Sequence, residues 1–451
     1  MDMKDCPDIA ELIGERAPRY TSYPTAPIFT PKVGQTFQQS CIEAIDPGAP
    51  VSFYVHIPFC ERLCWFCACR TQGTRSLAPV KRYVDALEAE LALMRKHLPE
   101  GVRLARLHWG GGTPTILSPD LIRQLAGEIK SVVPPTEDAE FSVEIDPTLV
   151  DADKIAALRH AGFTRASLGV QDFSPVVQAA IGRSQSYAAT KNAIDMIRDA
   201  GVHSLNVDLV YGLPNQTEES IAASIEQVIT LDPDRVALFG YAHVPWMAKR
   251  QKLIDEAALP DDVKRRRLFQ IAADMFQEAG LCAIGIDHFA KPEDALTVCK
   301  KSGRLRRNFQ GYTADDCPTL IGLGASSISR YPQGYVQNAS ATGAYSGKIE
   351  AGEFSGFRGH VLTKDDVLRG RAIEMLMCDF AIDFERLRSE IGPDADRLRP
   401  LHGAVADRFP DHVSLDAERL TIRPDHRAFT RVIAAMYDAY EATEATYSRA
   451  S

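Results

Sequence analysis

Cys60, Cys64, Cys67 and Cys69 fall within ten residues, in the run Tyr54-Val-His-Ile-Pro-Phe-Cys-Glu-Arg-Leu-Cys-Trp-Phe-Cys-Ala-Cys69, directly after an apolar stretch. Four thiols at that density read as metal ligands before they read as packing, and their spacing bears on which metal. A zinc ribbon sets two C-x-x-C pairs apart by a longer loop and closes a tetrahedron around one ion. Here three residues separate Cys60 from Cys64 and two separate Cys64 from Cys67, with Cys69 only two positions on. The tight trio suits three corners of an iron-sulfur cube whose fourth iron has no protein ligand and stays open to another group. Structural zinc is the competing reading.

The other residues able to do chemistry stand at the ends of apolar runs. Gly110-Gly-Gly-Thr113, Glu144 with Asp146, Gln171 with Asp172, Asp208 with Tyr211, and Tyr241-Ala-His243 each follow one. The runs predict strands over 51–56, 104–109, 139–145, 165–170, 205–210, 235–239 and 281–286. Between them, apolar residues three and four apart predict helices over 81–98, 119–132, 152–162, 188–200, 218–231 and 262–279. The second of these has Ser118 as N-cap and Pro119 at its first position. Strands and helices in alternation mean parallel βαβ units with right-handed crossovers, and six or more in series curve into a complete or partial β/α barrel. An open doubly wound sheet is the second choice. The barrel is favoured because it gathers every one of those strand-end residues around one mouth, the carboxyl-terminal face. Glycines there expose backbone groups and let a ligand approach closely.

The whole chain sets bounds on this chemistry. It has 451 residues, 45% of them hydrophobic and 25% charged, and a formal charge of -9, as expected of a globular protein with one large and one smaller domain. The N-terminus shows no apolar leader segment, and no run of about eighteen apolar residues is present to span a bilayer, so a cytoplasmic location without membrane attachment is expected. Cys6, Cys41, Cys282, Cys299, Cys317 and Cys378 are scattered, as free thiols in a reducing compartment are. Acidity argues against nucleic acid as a partner. Two basic runs, 264–267 and 300–307, read as solvated faces, and the second gains interest if the substrate is anionic.

Residues 1–50 carry little apolar periodicity. Within them Arg19-Tyr-Thr-Ser-Tyr-Pro-Thr25 reads as an arm that covers a site on the domain that follows, 51–350. From 351 to 451 the pattern changes to helices over 364–378, 384–390 and 398–409 and a hairpin of 413–415 with 420–422, together resembling a small, mostly helical winged-helix module. Such modules often bind DNA, but the net acidity favours a lid or docking role here.

The three-cysteine loop after the first strand resembles that of the radical S-adenosylmethionine enzymes, and a finer resemblance, to the oxygen-independent coproporphyrinogen III oxidase family, covers nearly the whole chain. It rests on Arg19-Tyr-Thr-Ser-Tyr-Pro-Thr25, His56-Ile-Pro-Phe-Cys60, His108-Trp-Gly-Gly-Gly-Thr-Pro-Thr115, Leu168-Gly-Val-Gln-Asp-Phe173, Asp208-Leu-Val-Tyr-Gly-Leu-Pro214, Asp287-His-Phe-Ala290 and Asn308-Phe-Gln-Gly-Tyr-Thr313. The resemblance implies a partial β/α barrel with an N-terminal arm and a winged-helix-like C-terminal domain. It implies a 4Fe-4S cluster whose open iron chelates S-adenosylmethionine, and a 5'-deoxyadenosyl radical made by reductive cleavage of that cofactor. The radical would take a β-hydrogen from a propionate of coproporphyrinogen III; loss of carbon dioxide and one electron then leaves a vinyl, and two such rounds give protoporphyrinogen IX. An electron donor and an electron acceptor are implied as partners, both unidentified, and a monomer suffices.

Carried over residue by residue, the family's cluster ligands match Cys60, Cys64 and Cys67. Tyr54, Gly111, Glu144 and Ile328 match positions around the S-adenosylmethionine on the cluster, where a carboxylate such as Glu144 suits the cofactor's ammonium. Phe66, Gly112, Thr113, Gln171, Arg183, Asp208 and Ala242 match the surroundings of a second S-adenosylmethionine. Cys69 matches a cysteine that does not ligate, and Ala68 stands where the family commonly has glycine, adding a methyl near the cofactor. Arg19, Tyr20 and Tyr23 suit substrate contacts, since a porphyrinogen offers carboxylates to Arg and flat pyrroles to aromatic rings. The rival from another class is a heme chaperone built on the same core; those relatives lack the Arg19–Thr25 type of arm and the Cys67-x-Cys69 pair, both present here.

Overall fold

The computed structural model describes residues 17–440, so Cys6 and the first sixteen residues of the expected arm lie outside the described residues. Apolar alternation along the strands decides the architecture. In β1 (Val51–Ile57) Phe53, Val55 and Ile57 are fully buried, with Tyr54 and His56 between them. The same alternation sets Leu107 and Trp109 against His108 in β2 (Leu104–Gly111), and Val143 and Ile145 against Glu144 in β3 (Pro135–Ile145). Leu168 and Val170 alternate with Ser167 and Gly169 in β4 (Arg165–Gln171), and Val207 and Leu209 with Asp208 in β5 (Ser204–Tyr211). Side chains in a strand alternate between faces, so one face meets the helices and the other carries the polar groups. Register then lines these groups up: Tyr54 pairs with His108, Glu144 with Ser167, and Gly169 with Asp208.

The strand β6 (Arg235–Gly240) completes this series, and six more strands follow: β7 (Cys282–Ile284), β8 (His288–Ala290), β9 (Thr319–Leu323), β10 (Ile328–Tyr331), β11 (Gly334–Asn338) and β12 (Gly356–Val361). They join in one sheet in the order β12-β11-β10-β9-β1-β2-β3-β4-β5-β6-β8-β7. From β9 to β6 the pairing is parallel throughout, and both ends continue antiparallel. The two outer strands do not pair among the described residues, so the barrel is partial and the sheet open. The apolar run 281–286 is not another parallel strand. Gly285, at φ +54 with Tyr312 against its α-carbon, breaks it, and β7 and β8 form a hairpin on the edge of β6.

The helices follow their caps. In Pro119–Val132 the Ser118 hydroxyl accepts from Leu121 N at 3.3 Å, and Leu121, Ile122, Leu125 and Ile129 turn inward. Lys364–Asp379 opens with a reciprocal box between Thr363 and Asp366, which satisfies two helix-end amides at once. This helix begins the second core. It packs with Phe384–Ile391, Arg399–Arg408, Thr430–Ala435 and a three-stranded sheet of Ala381–Asp383, Arg419–Ile422 and Val413–Leu415. The change of character near 350 thus precedes one further strand of the main sheet, β12, and the separate core starts only at Lys364. Ala17, Tyr20 and Tyr23 belong to that second core, while Thr30 bridges to Gly359 of β12, so residues 17–30 span both parts.

Candidate active site

The cysteine loop leaves β1 and runs as Phe59–Cys60, which pairs with Gln72–Gly73 to close the loop at its base. Trp65 N donates to Ile181 O at 2.9 Å and the Arg62 guanidinium to Ser184 O at 3.2 Å, fastening the middle of the loop to the segment after β4. None of the nine described cysteines is in a disulfide. Cys60 and Cys64 each receive a hydrogen-bond donor from a distant part of the chain, and Cys67 is hydrogen-bonded by both the backbone and the thiol of Cys69 in its own loop. Thr113 Oγ1 donates to Cys60 Sγ at 3.6 Å, Arg183 Nη1 to Cys64 Sγ at 3.4 Å, and the Cys69 backbone N–H to Cys67 Sγ at 3.4 Å. Burial pushes the Cys60 thiol up to about 11, whereas hydrogen bonding from Cys69 lowers Cys67 and raises Cys69 in turn. Among the described residues no three His, Cys, Asp or Glu side chains converge on a point for a single metal ion. Hydrogen bonds to all three sulfurs are of the kind that tune the thiolate ligands of an iron-sulfur cluster. Ala68 is exposed, which leaves room for its methyl.

Gly110-Gly-Gly-Thr113 lies against this loop. Gly112 N donates to Ile57 O and Thr113 N to Phe59 O, both at 2.8 Å, so the turn is stitched to the start of the cysteine loop. Space explains all three glycines. A Cβ at Gly110 would meet Glu144 Oε1 at 2.6 Å, one at Gly111 the His56 ring at 2.3 Å, and one at Gly112 the Phe59 carbonyl at 2.6 Å; Gly111 also sits at φ +105. The backbone they expose has a carboxylate beside it. Gly111 N donates to Glu144 Oε2 at 2.9 Å, and His108 Nε2 approaches Oε1 at 3.4 Å. Burial alone would raise the Glu144 pKa, but the hydrogen bond and charge of His108 together with Gly111 outweigh it, and the carboxyl is held below its ordinary value. Tyr54 stacks on His108 at 5.8 Å, and its hydroxyl meets His56 Nδ1 at 3.1 Å.

Across the mouth stand the remaining strand-end groups. Arg183 donates to Gly169 O at 2.5 Å and to Gln185 Oε1, which aims its Nη1 at Cys64. Gln171 ends β4 at a bulge with φ +70, its amide over Gly169. Asp208 takes hydrogen bonds from Ser167 at 3.1 Å and Asn206 at 2.7 Å; burial, and then the Glu144 charge, push its pKa up to about 6. Phe66 packs with Trp65 against Val177, Ile181, Val210 and Tyr241. Ile328 begins β10 beside Gly322, on the mouth side of β9. The fold therefore brings Tyr54, Phe66, Gly111, Gly112, Thr113, Glu144, Gln171, Arg183, Asp208, Ala242 and Ile328 to one end of the sheet.

The arm reaches the same end with one of its three expected contacts. Arg19 Nη2 donates to Gly240 O, the last residue of β6, at 3.0 Å, and its side chain is open to solvent although protein crowds around it. Tyr20 and Tyr23 instead lie buried in the C-terminal core, with their hydroxyls on Asp438 Oδ2 and Ala439 N. They dock the arm. Sequence reasoning missed Gln251, a fully buried side chain whose amide donates to Phe66 O at 2.7 Å and Ala242 O at 3.0 Å while accepting from Val244 N at 2.6 Å. It also missed Arg250, which donates to Cys69 O at 3.3 Å and Thr71 Oγ1 at 2.8 Å. Both couple the loop after β6 to the cysteine loop, and no residue-type signal in that basic stretch announces it.

Comparison with known proteins gives the same answer over different lengths of chain. Residues 54–228 match the model of the Radical SAM superfamily. An oxygen-independent coproporphyrinogen III oxidase of Cereibacter sphaeroides is 58% identical over 441 residues, 98% of each chain, and one of Paracoccus denitrificans is 54% identical over 97% of each. The solved structure of coproporphyrinogen III oxidase from Escherichia coli, described as a radical SAM enzyme, superposes with a TM-score of 0.89 at 35% identity, covering 94% of this chain and 98% of that one. With the cysteine loop, the Gly-rich turn and the C-terminal module all inside those alignments, the chain belongs to the oxygen-independent coproporphyrinogen III oxidase family of radical SAM proteins.

Proposed function

We propose that this protein is an oxidoreductase that converts two propionate side chains of coproporphyrinogen III into vinyls without oxygen, giving protoporphyrinogen IX in heme biosynthesis. As a radical SAM protein it takes a 4Fe-4S cluster and S-adenosylmethionine, which when bound supply a carbon radical able to remove a hydrogen atom from the propionate. What carries the reading is the meeting, at one end of the sheet, of three thiols that each have a separate donor with a carboxylate and a glycine-lined turn.

Cys60, Cys64 and Cys67 hold the cluster, and Cys69 serves Cys67 by hydrogen bonds from its backbone N–H and its thiol without ligating. Glu144, kept ionised by His108 and Gly111, takes the ammonium of the cofactor. Gly111 and Gly112 admit it close to the backbone, with Tyr54 and Ile328 at its sides. Phe66, Gly112, Thr113, Gln171, Arg183, Asp208 and Ala242 line a second S-adenosylmethionine position, where Arg183 suits a carboxylate and Asp208 an ammonium or a ribose hydroxyl. Arg19 meets a substrate carboxylate, and Tyr20 and Tyr23 hold the arm that presents it. The organisation we propose is an arm to residue 50, a barrel that runs on through β12, and a C-terminal module from Lys364 that serves as a lid or docking surface. Net acidity speaks against nucleic acid as a partner, and scattered free thiols suit a reducing, cytoplasmic compartment; in this proposal the protein acts there as a monomer without membrane attachment and exchanges electrons with a separate donor and acceptor. No helix among the described residues is long and apolar enough to cross a membrane.

Anaerobic reconstitution of the cluster, reduction, and addition of S-adenosylmethionine with coproporphyrinogen III tests the proposal. 5'-Deoxyadenosine and protoporphyrinogen are expected together. Deoxyadenosine without vinyl product would exclude the substrate, and tight heme binding with neither product would favour the chaperone.

A further inference from the structure

We propose that Arg307 and Arg19 form a carboxylate-binding subsite beside β6, which grips a propionate of the substrate that does not react. This rests on the function proposed above and assigns work to the basic run 300–307, which that function leaves unused. Arg307 lies on Arg306–Asn308, one strand of a hairpin with Gly311–Thr313. The residue is only 8% exposed, yet its Nη1 is buried without a hydrogen-bond partner among the described residues. The nearest carboxylate oxygen, Asp287 Oδ1, is 3.8 Å away and already engaged by His288 Nδ1 at 2.6 Å. A guanidinium taken out of water with an N–H unmet is unfavourable unless an acceptor arrives.

The group is nonetheless held firmly. Arg307 Nε donates to Arg19 O at 3.3 Å, and its guanidinium lies 4.4 Å over the Tyr312 ring, which is itself fixed by a hydrogen bond from its hydroxyl to Met377 O at 2.7 Å. Arg19 brings a second guanidinium to the same place: Asp287 and Arg307 both act on its charge. Arg19, Arg307 and the neighbouring Arg431 all act on the one carboxylate of Asp287, and the planar guanidinium forks of Arg19 and Arg307 suit one further carboxylate, which accepts parallel N–H bonds. The subsite adjoins the reactive centre. Arg19 is tied to Gly240 at the end of β6, and His288, which holds Asp287, pairs with Ala237 of β6, itself paired with Asp208 of β5. A substrate with propionates beyond the reacting pair needs such a grip to turn the reacting side chain toward the cysteine loop.

The test uses the full chain and coproporphyrin III, the air-stable oxidised form of the substrate, with binding followed by quenching of its fluorescence. Its tetra-amide, which keeps the ring and loses the charges, is the control. Arg307→Gln should weaken coproporphyrin binding about tenfold or more while leaving the tetra-amide unchanged, and Arg307→Lys should recover part of the loss. In the anaerobic assay the same factor should enter the substrate KM, with S-adenosylmethionine binding unaltered. Arg307→Gln that binds coproporphyrin like wild type, or that weakens acid and amide alike, overturns the subsite and leaves the proposed function standing whenever wild type forms product. Wild-type protein that forms no product and fails to prefer the acid over the amide overturns both.

Discussion

Gly112→Ala tests whether the Gly-rich turn positions the cluster loop or merely connects two elements. The added Cβ would lie 2.6 Å from Phe59 O and 2.7 Å from Ile57 O, both backbone atoms, so no side chain can swing aside to accept it. Ordinary contact begins near 3.4 Å, so the turn must retreat by roughly 0.8 Å. That movement breaks the bonds from Gly112 N to Ile57 O and from Thr113 N to Phe59 O, which at about 1 kcal/mol each amounts to about 2 kcal/mol of stability. Thr113 Oγ1 leaves Cys60 Sγ with it. A displacement of that size at a reacting centre costs on the order of 100-fold in rate. The assay compares melting temperature, iron and sulfide bound after anaerobic reconstitution, and kcat/KM for deoxyadenosine formation. Gly127→Ala is the matched control, because nothing lies within 4 Å of a Cβ there and the helix Pro119–Val132 should gain up to about 1 kcal/mol. A Gly112→Ala protein with wild-type stability and turnover would refute the argument.

Replacing Cys60, Cys64 or Cys67 by Ser should abolish the cluster's spectrum, whereas Cys69→Ser should retain it, because the residue 69 backbone N–H still donates to Cys67 and a serine hydroxyl can replace the thiol as hydrogen-bond partner. Arg183→Ala should lower the midpoint potential of the reconstituted cluster in an EPR titration, since Cys64 loses a donor that favours the more negative reduced state. Glu144→Gln keeps an acceptor for Gly111 but removes the charge; calorimetry should show S-adenosylmethionine bound about 10- to 100-fold more weakly, and the Asp208 pKa should fall from about 6. Glu90 governs stability instead. It is buried, accepts from Gly324 N, Tyr345 and Asn338, and burial pushes its pKa from 4.5 up to about 7. An acid with a raised native pKa stabilises at low pH, so this contribution, about 3 kcal/mol, is full below about 4.5 and is lost as pH rises through about 7. Denaturant unfolding of Glu90→Gln across that range should show a flattened slope, whatever offset the new amide facing Asn338 introduces.

The alternation of helices and parallel strands was readable because each inner strand buries every second residue completely, which leaves an unbroken apolar signature such as Phe53, Val55 and Ile57. The polar residues gathered at the strand ends were readable for the same reason, since a polar residue that interrupts such a strand must find a ligand, water or a polar neighbour to satisfy it. The edges were not. Strands β10, β11 and β12 and the hairpin Arg306–Thr313 are short and laced with polar residues, and the helix Gln35–Glu43 buries Gln38, whose amide binds Asn338 and Gly356, beside only Cys41 and Ile42. Tyr20 and Tyr23 had the right chemistry for substrate but are claimed by the C-terminal core, a tertiary fact with no local trace. Gln251 is the same lesson reversed: an unremarkable amide becomes a three-way junction once two distant loops meet on it.

That junction also bears on injury by air. Gln251 on Phe66, Trp65 on Ile181, Arg62 on Ser184 and Arg250 on Cys69 fix the path of the cysteine loop through bonds that involve no iron. When oxygen strips the cluster, the mould in which it was cast should survive, and repair then requires only fresh iron, sulfide and reductant, with no refolding of the protein.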